Sequence, residues 1–226
     1  SHFGPDIDGD FLPESVPAIY AEGKQAHVPL LAGWNKDEGG SGVILKSGQP
    51  PLAFFRGMAN KHFGSNAEEF LKVYAASNDA EAVRAADDFS GDRFIAYSTW
   101  AWLEAQVKTD DAPVFRYHFE LGSPGDPHHP ASIGAFHSDD IEYVFGNLDS
   151  RQGAKWRPED YKLSELMQDY WTNFAKTGNP NSPDLPNWPT YNAAGQWQVM
   201  HLSPNPHASP DRHRDRYLFL QNLWRK

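Results

Sequence analysis

Short unbroken apolar runs alternate along this chain with longer stretches in which apolar residues return every three or four positions. Val28-Pro29-Leu30-Leu31-Ala32-Gly33-Trp34 is such a run, ending beside a glycine, and predicts a strand buried on both faces of a parallel sheet. Residues 113–121 alternate and are rich in aromatics, which predicts a second strand; residues 197–202 predict a third. Between the first two lies a long helical region, residues 51–108, which Gly64-Ser65 and Ser77-Asn78-Asp79 divide into separate helices. Leu163, Leu166, Met167, Tyr170, Trp171 and Phe174 make the clearest apolar stripe, closed by Gly178 and Pro180. Shorter helical stretches are expected at residues 15–23, 139–146 and 212–225. Strands alternating with helices predict an α/β fold.

Composition narrows the chemistry. The 226 residues carry a net charge of −10 and form no basic stripe, so the electrostatic footprint of a nucleic-acid binder is missing. The absence of cysteine excludes disulfide scaffolds, thiolate zinc sites and thiol catalysis, and it leaves the compartment open. No stretch of about 18 apolar residues is present to span a membrane. Asp6, Asp8 and Asp10 are spaced as in a calcium loop, but Pro17 stands where a twelve-residue loop needs its closing acid, so an Asx-rich turn is expected.

Reactive side chains gather in two loops. Asn35-Lys36-Asp37-Glu38-Gly39 follows the first predicted strand, and Phe136-His137-Ser138-Asp139-Asp140 follows the second after a long loop rich in Gly, Pro and His. An acid preceding a histidine in the chain, each past a strand end, is the order in which an α/β hydrolase presents its carboxylate and its base. Spacing alone does not separate this from a solvated glutamate and a structural histidine. The cluster of His128, His129, His137 and Asp139 contains no His pair at helical spacing and no HExxH, so no metal is expected there. The paired carboxylates Asp87-Asp88, Asp110-Asp111 and Asp139-Asp140 read as loop and helix-end charges, with nothing selecting a glycosidase pair.

Several segments together resemble the type-B carboxylesterase and cholinesterase family. Residues 28–39 resemble its acid motif, residues 134–146 its histidine motif, and residues 171–181 with Trp188-Pro189-Thr190-Tyr191 its C-terminal signature. Asp8-Gly9 and Asp92-Arg93-Phe94 also fit, so the resemblance runs from about Pro5 to Trp224. It implies an α/β-hydrolase fold, a Ser–His–Glu triad and hydrolysis of a small-molecule carboxylic ester without a cofactor. Glu38 matches the acid, His137 the base, and Asp140 a position that supports the loop. The family's Gly-x-Ser-x-Gly elbow does not occur in these residues; Gly39-Gly40-Ser41-Gly42-Val43 comes nearest. Its His-Gly-Gly-Gly oxyanion segment is absent too.

The expectation is therefore that residues 1–226 are the C-terminal part of one esterase domain, supplying the later strands of a mostly parallel sheet with their helices. The serine and the N-terminal portion of the same enzyme lie on a missing segment, leaving a long apolar sheet edge exposed and this chain inactive alone. The other reading is a non-catalytic, esterase-like adhesion or binding module.

Overall fold

The computed structural model describes residues 5–126 and 134–224. Its helices are α1 (Val16–Ala21), α2 (Pro51–Phe63), α3 (Ala67–Val73), α4 (Asp79–Gly91), α5 (Tyr97–Thr109), α6 (Ile141–Phe145), α7 (Pro158–Thr177) and α8 (Arg214–Trp224). The strands are β1 (Leu30–Asn35), β2 (Val114–Phe119), β3 (Gln198–Leu202) and β4 (His207–Pro210). They form one sheet in the order β1-β2-β3-β4. β1–β2 and β2–β3 are parallel and β3–β4 is antiparallel, giving the expected α/β class.

The register explains why the apolar runs were legible. Leu30 to Asn35 pair one for one with Val114 to Phe119. One sheet face packs under α6 and α7 around Phe119, Tyr143, Leu163, Met167 and Tyr170, all buried. Ala32, Trp34 and Val114 belong to a second cluster with Trp100 and Leu103 of α5 and Tyr217 of α8. A third core lies among α2, α3, α4 and α8, centred on Phe55, Phe70, Phe89 and Leu220. Of the α7 stripe, Leu163, Met167 and Tyr170 are buried and Leu166, Trp171 and Phe174 border the core.

Helix ends follow local chemistry. Pro158 opens α7, where Asp160 accepts hydrogen bonds from the Arg157 backbone and guanidinium, and Gly178 closes it at φ +75°. Asn78 caps α4 by accepting from the Glu81 amide at 2.9 Å. Between α4 and α5 the chain does not break; residues Asp92–Ala96 form one π turn, so the two helices run on through it. Asp8 accepts from the amides of Asp10 and Leu12, the Asx turn expected there.

Two features depart from the expectation. β4 carries no apolar alternation, since His207-Ala208-Ser209-Pro210 is stabilised as a strand only by pairing with β3. Residues 92–96, inside the long helical region, form a π turn in place of regular α-helix. The His128-His129 pair lies outside the described residues.

Candidate active site

The two reactive loops meet just past the ends of β1 and β2. The meeting starts with backbone: Lys36 N–H donates to the Phe119 carbonyl, and Asp37 N–H to the Ala135 carbonyl at 2.8 Å. Asp37 and Phe136 thus make a short parallel bridge that extends the sheet by one rung. The Asp37 carboxylate accepts back from Ala135 N–H at 3.0 Å. Gly134 is required for that closeness, because a Cβ there would lie 1.9 Å from Asp37 Oδ2. Burial pushes the Asp37 carboxyl above its ordinary range, opposed by Lys36 and by the Ala135 amide.

Side chains complete the join. Asn35, buried at the end of β1, donates its amide to the Phe136 carbonyl at 2.7 Å and to Asp140 Oδ1 at 3.1 Å. Tyr117 on β2 donates to the other Asp140 oxygen at 3.2 Å. Asp140 therefore ties the histidine loop to two strands, the supporting position inferred from sequence. Phe136 N–H donates to Asp139 Oδ2 at 2.8 Å, tightening the turn that carries Ser138 at φ +73°.

Within this frame Glu38 Oε1 accepts from the Asn35 amide at 2.9 Å, and Glu38 Oε2 lies 2.7 Å from His137 Nδ1. The Glu38 side chain is 5% exposed and that of His137 is 54% exposed. A buried acceptor-only carboxylate beside Nδ1 selects the tautomer with the proton on Nδ1. Nε2 then carries a lone pair able to take a proton. Phe94, presented by the π turn, meets the His137 ring edge-on at 5.0 Å between centroids. Gly39 packs against Gly91 at the end of α4, where a Cβ would lie 2.1 Å from the Gly91 nitrogen. Ser41 is held by its backbone amide to Asp87.

A cavity of about 770 Å³ runs from Glu38 and Trp34 past Arg116 to His118, Glu120 and His201. Phe136 lines it and is 48% exposed, and Trp34 borders it from the core. Arg116 is buried under Trp34, 4.2 Å from its ring, and is ion-paired with Asp211. Asp92 is buried as well; it accepts from Tyr74 at 2.8 Å and lies 3.1 Å from Arg216. Sequence reading did not single out His118, Glu120 and His201. His201 stands 81 residues from Glu120 and 83 from His118 in the chain, and only the β2–β3 register brings it to them. Among the described residues, no helix is long and apolar enough to cross a membrane.

Comparison with known proteins identifies the family of the chain. A model of the carboxylesterase family matches residues 1–219. Carboxylesterase 4A of Bos taurus is 30% identical over 218 residues, covering 88% of this chain and 38% of the relative. Para-nitrobenzyl esterase of Bacillus subtilis is 32% identical over 198 residues, 84% of this chain and 37% of that protein. Acetylcholinesterase of Bungarus fasciatus is 29% identical over 225 residues, 92% of this chain and 36% of that protein. The chain thus spans little more than a third of the length of the relatives it matches. Its parallel strands with flanking helices are part of an α/β-hydrolase fold, and the chain belongs to the carboxylesterase family.

Proposed function

We propose that this chain supplies the acid and the base of a Ser–His–Glu triad in a carboxylic-ester hydrolase, with the serine on a segment outside it. The observation that carries the proposal is the 2.7 Å contact between Glu38 Oε2 and His137 Nδ1, with Nδ1 on the buried side and the ring half open to solvent. A serine hydroxyl placed at Nε2 would lose its proton to His137 as its oxygen attacks the ester carbonyl. His137 returns that proton to the departing alcohol, leaving an acyl-serine. A water molecule, deprotonated by the same nitrogen, then releases the carboxylic acid and restores the serine. Throughout, Glu38 holds the Nδ1–H and stabilises the imidazolium.

The N-terminal portion of the same enzyme is the partner this reading requires. β1 pairs only with β2 among the described residues, so its other edge offers backbone donors and acceptors to a further strand. The chain alone, lacking a nucleophile elbow, is inactive on this reading. The test is fluorophosphonate labelling of the full-length protein. One labelled serine upstream of residue 1, with labelling abolished by His137→Gln, is the expected result. A folded full-length protein that takes no label would reject catalysis and favour the binding-module reading.

A further inference from the structure

The row of residues in register across all four strands is Trp34, His118, His201 and His207. Residues in register share a sheet face, so three imidazoles stand side by side over one side of the sheet. The His118 and His201 rings meet at 6.0 Å, and His207 stacks on His201 at 5.0 Å. Glu120 lies two residues beyond His118 on the same strand line and therefore on the same face. One oxygen of it, Oε1, lies 2.9 Å from His118 Nδ1 and 2.6 Å from His201 Nδ1.

We propose that His118, Glu120 and His201 form a binding site for a divalent transition-metal cation of the zinc class. Two imidazoles and one carboxylate are a donor set that this class of ion takes, with a fourth position left to water. The three donor atoms all lie within 4.8 Å of one another. Ligands 2.0–2.1 Å from a tetrahedral ion sit about 3.3 Å apart, so the two N–O distances need open by only roughly half an ångström. All three side chains border the cavity described above, at 14%, 26% and 20% exposure, which gives an ion a route in.

The surroundings of His201 fit a ligand. Its Nε2 lies 2.8 Å from Ser209 Oγ. When Nδ1 binds the ion, the ring proton moves to Nε2 and donates to that hydroxyl, as the outer nitrogen of a metal-bound histidine does. Ser209, His201 and Glu120 also have the connectivity of a hydrolytic triad, but Ser209 lies in the regular β3–β4 ladder opposite Val199, with no elbow to present it. Glu120 is moreover shared with a second imidazole, for which a triad acid has no use.

The test is zinc titration of the purified protein by calorimetry, with metal retained after dialysis counted per chain. We expect one zinc per chain, lost in His118→Gln and in His201→Gln, and bound about 10- to 100-fold more weakly in Ser209→Ala. The double variant His128→Gln/His129→Gln removes the adjacent histidines of the sequence His128-His129 as an alternative source of binding and should keep the zinc. X-ray absorption of the zinc-loaded wild type needs no variant and should find two imidazole ligands. Retention of zinc by both single variants, fewer than two imidazoles, or no zinc held at all would overturn the proposal, leaving a hydrogen-bonded network only.

Discussion

Glu38 and His137 are 99 residues apart in the chain and 2.7 Å apart in space, joined Oε2 to Nδ1. The contact is held from behind. Asn35 fixes Glu38 through its backbone amide and the histidine loop through its side chain, so one residue at the end of β1 sets the positions of both.

Replacing Glu38 by Gln keeps the size of the side chain and removes its charge. The amide offers a donor to Nδ1 as readily as an acceptor, so the ring loses its enforced tautomer. On the proposed triad, kcat of the full-length protein for a p-nitrophenyl ester should fall on the order of 10⁴-fold, with the unfolding midpoint little changed. Unchanged turnover would remove Glu38 from the triad.

Asn35→Ala deletes the two donors that hold the histidine loop and leaves the Phe136 carbonyl without that partner. The expected loss of stability is about 1–3 kcal/mol by urea denaturation. Turnover should fall with it, because His137 is no longer held at Glu38.

Gly39→Ala places a Cβ 2.1 Å from the Gly91 nitrogen and 2.6 Å from the Asp87 carbonyl oxygen. Both are helix backbone and do not swing aside. The acid loop must lift from α4, at a cost of about 1–3 kcal/mol. Gly40→Ala, with open space at its Cβ, is the control and should be close to neutral.

The Glu120 cluster predicts an acid limb in stability. Burial pushes the Glu120 carboxyl up, but the hydrogen bonds from His118 and His201 outweigh it and hold it well below its ordinary 4.5. The folded state then binds fewer protons than the unfolded chain as pH falls past 4.5, so stability present above that pH is lost on acidification. His118 adds in the same direction: burial holds it below its ordinary 6.5 despite Glu120, so its contribution is complete above 6.5 and declines below. Urea midpoints between about pH 7 and pH 3 should fall throughout, and Glu120→Gln should flatten the lower part of the curve.

Arg116 is 2% exposed and paired with Asp211 beneath Trp34. Arg116→Met fills much of the volume but leaves the Asp211 carboxylate buried beside it. The cost should be about 3–5 kcal/mol, and Arg116→Met/Asp211→Leu should recover part of it, as a double-mutant cycle would measure.

The order of the elements other than β4, the α7 stripe and the two polar loops past β1 and β2 were legible in the sequence, because each depends on residues close together in the chain. A buried parallel strand shows as an unbroken apolar run, and a helix as a period near four, whatever packs against it. The motifs around Glu38 and His137 likewise lie within single loops. What only the tertiary structure decided is everything that depends on register. β4 exists because β3 offers it a ladder, not because His207 to Pro210 favour a strand. The rung between Asp37 and Phe136 brings the acid to the histidine, and Gly134 permits it through a clearance that no one-dimensional pattern records. The row of His118, His201 and His207 arises the same way. Three scattered histidines become neighbours because strands about 4.8 Å apart are paired at one register, and a slip of one residue would turn a strand's histidine to the opposite face.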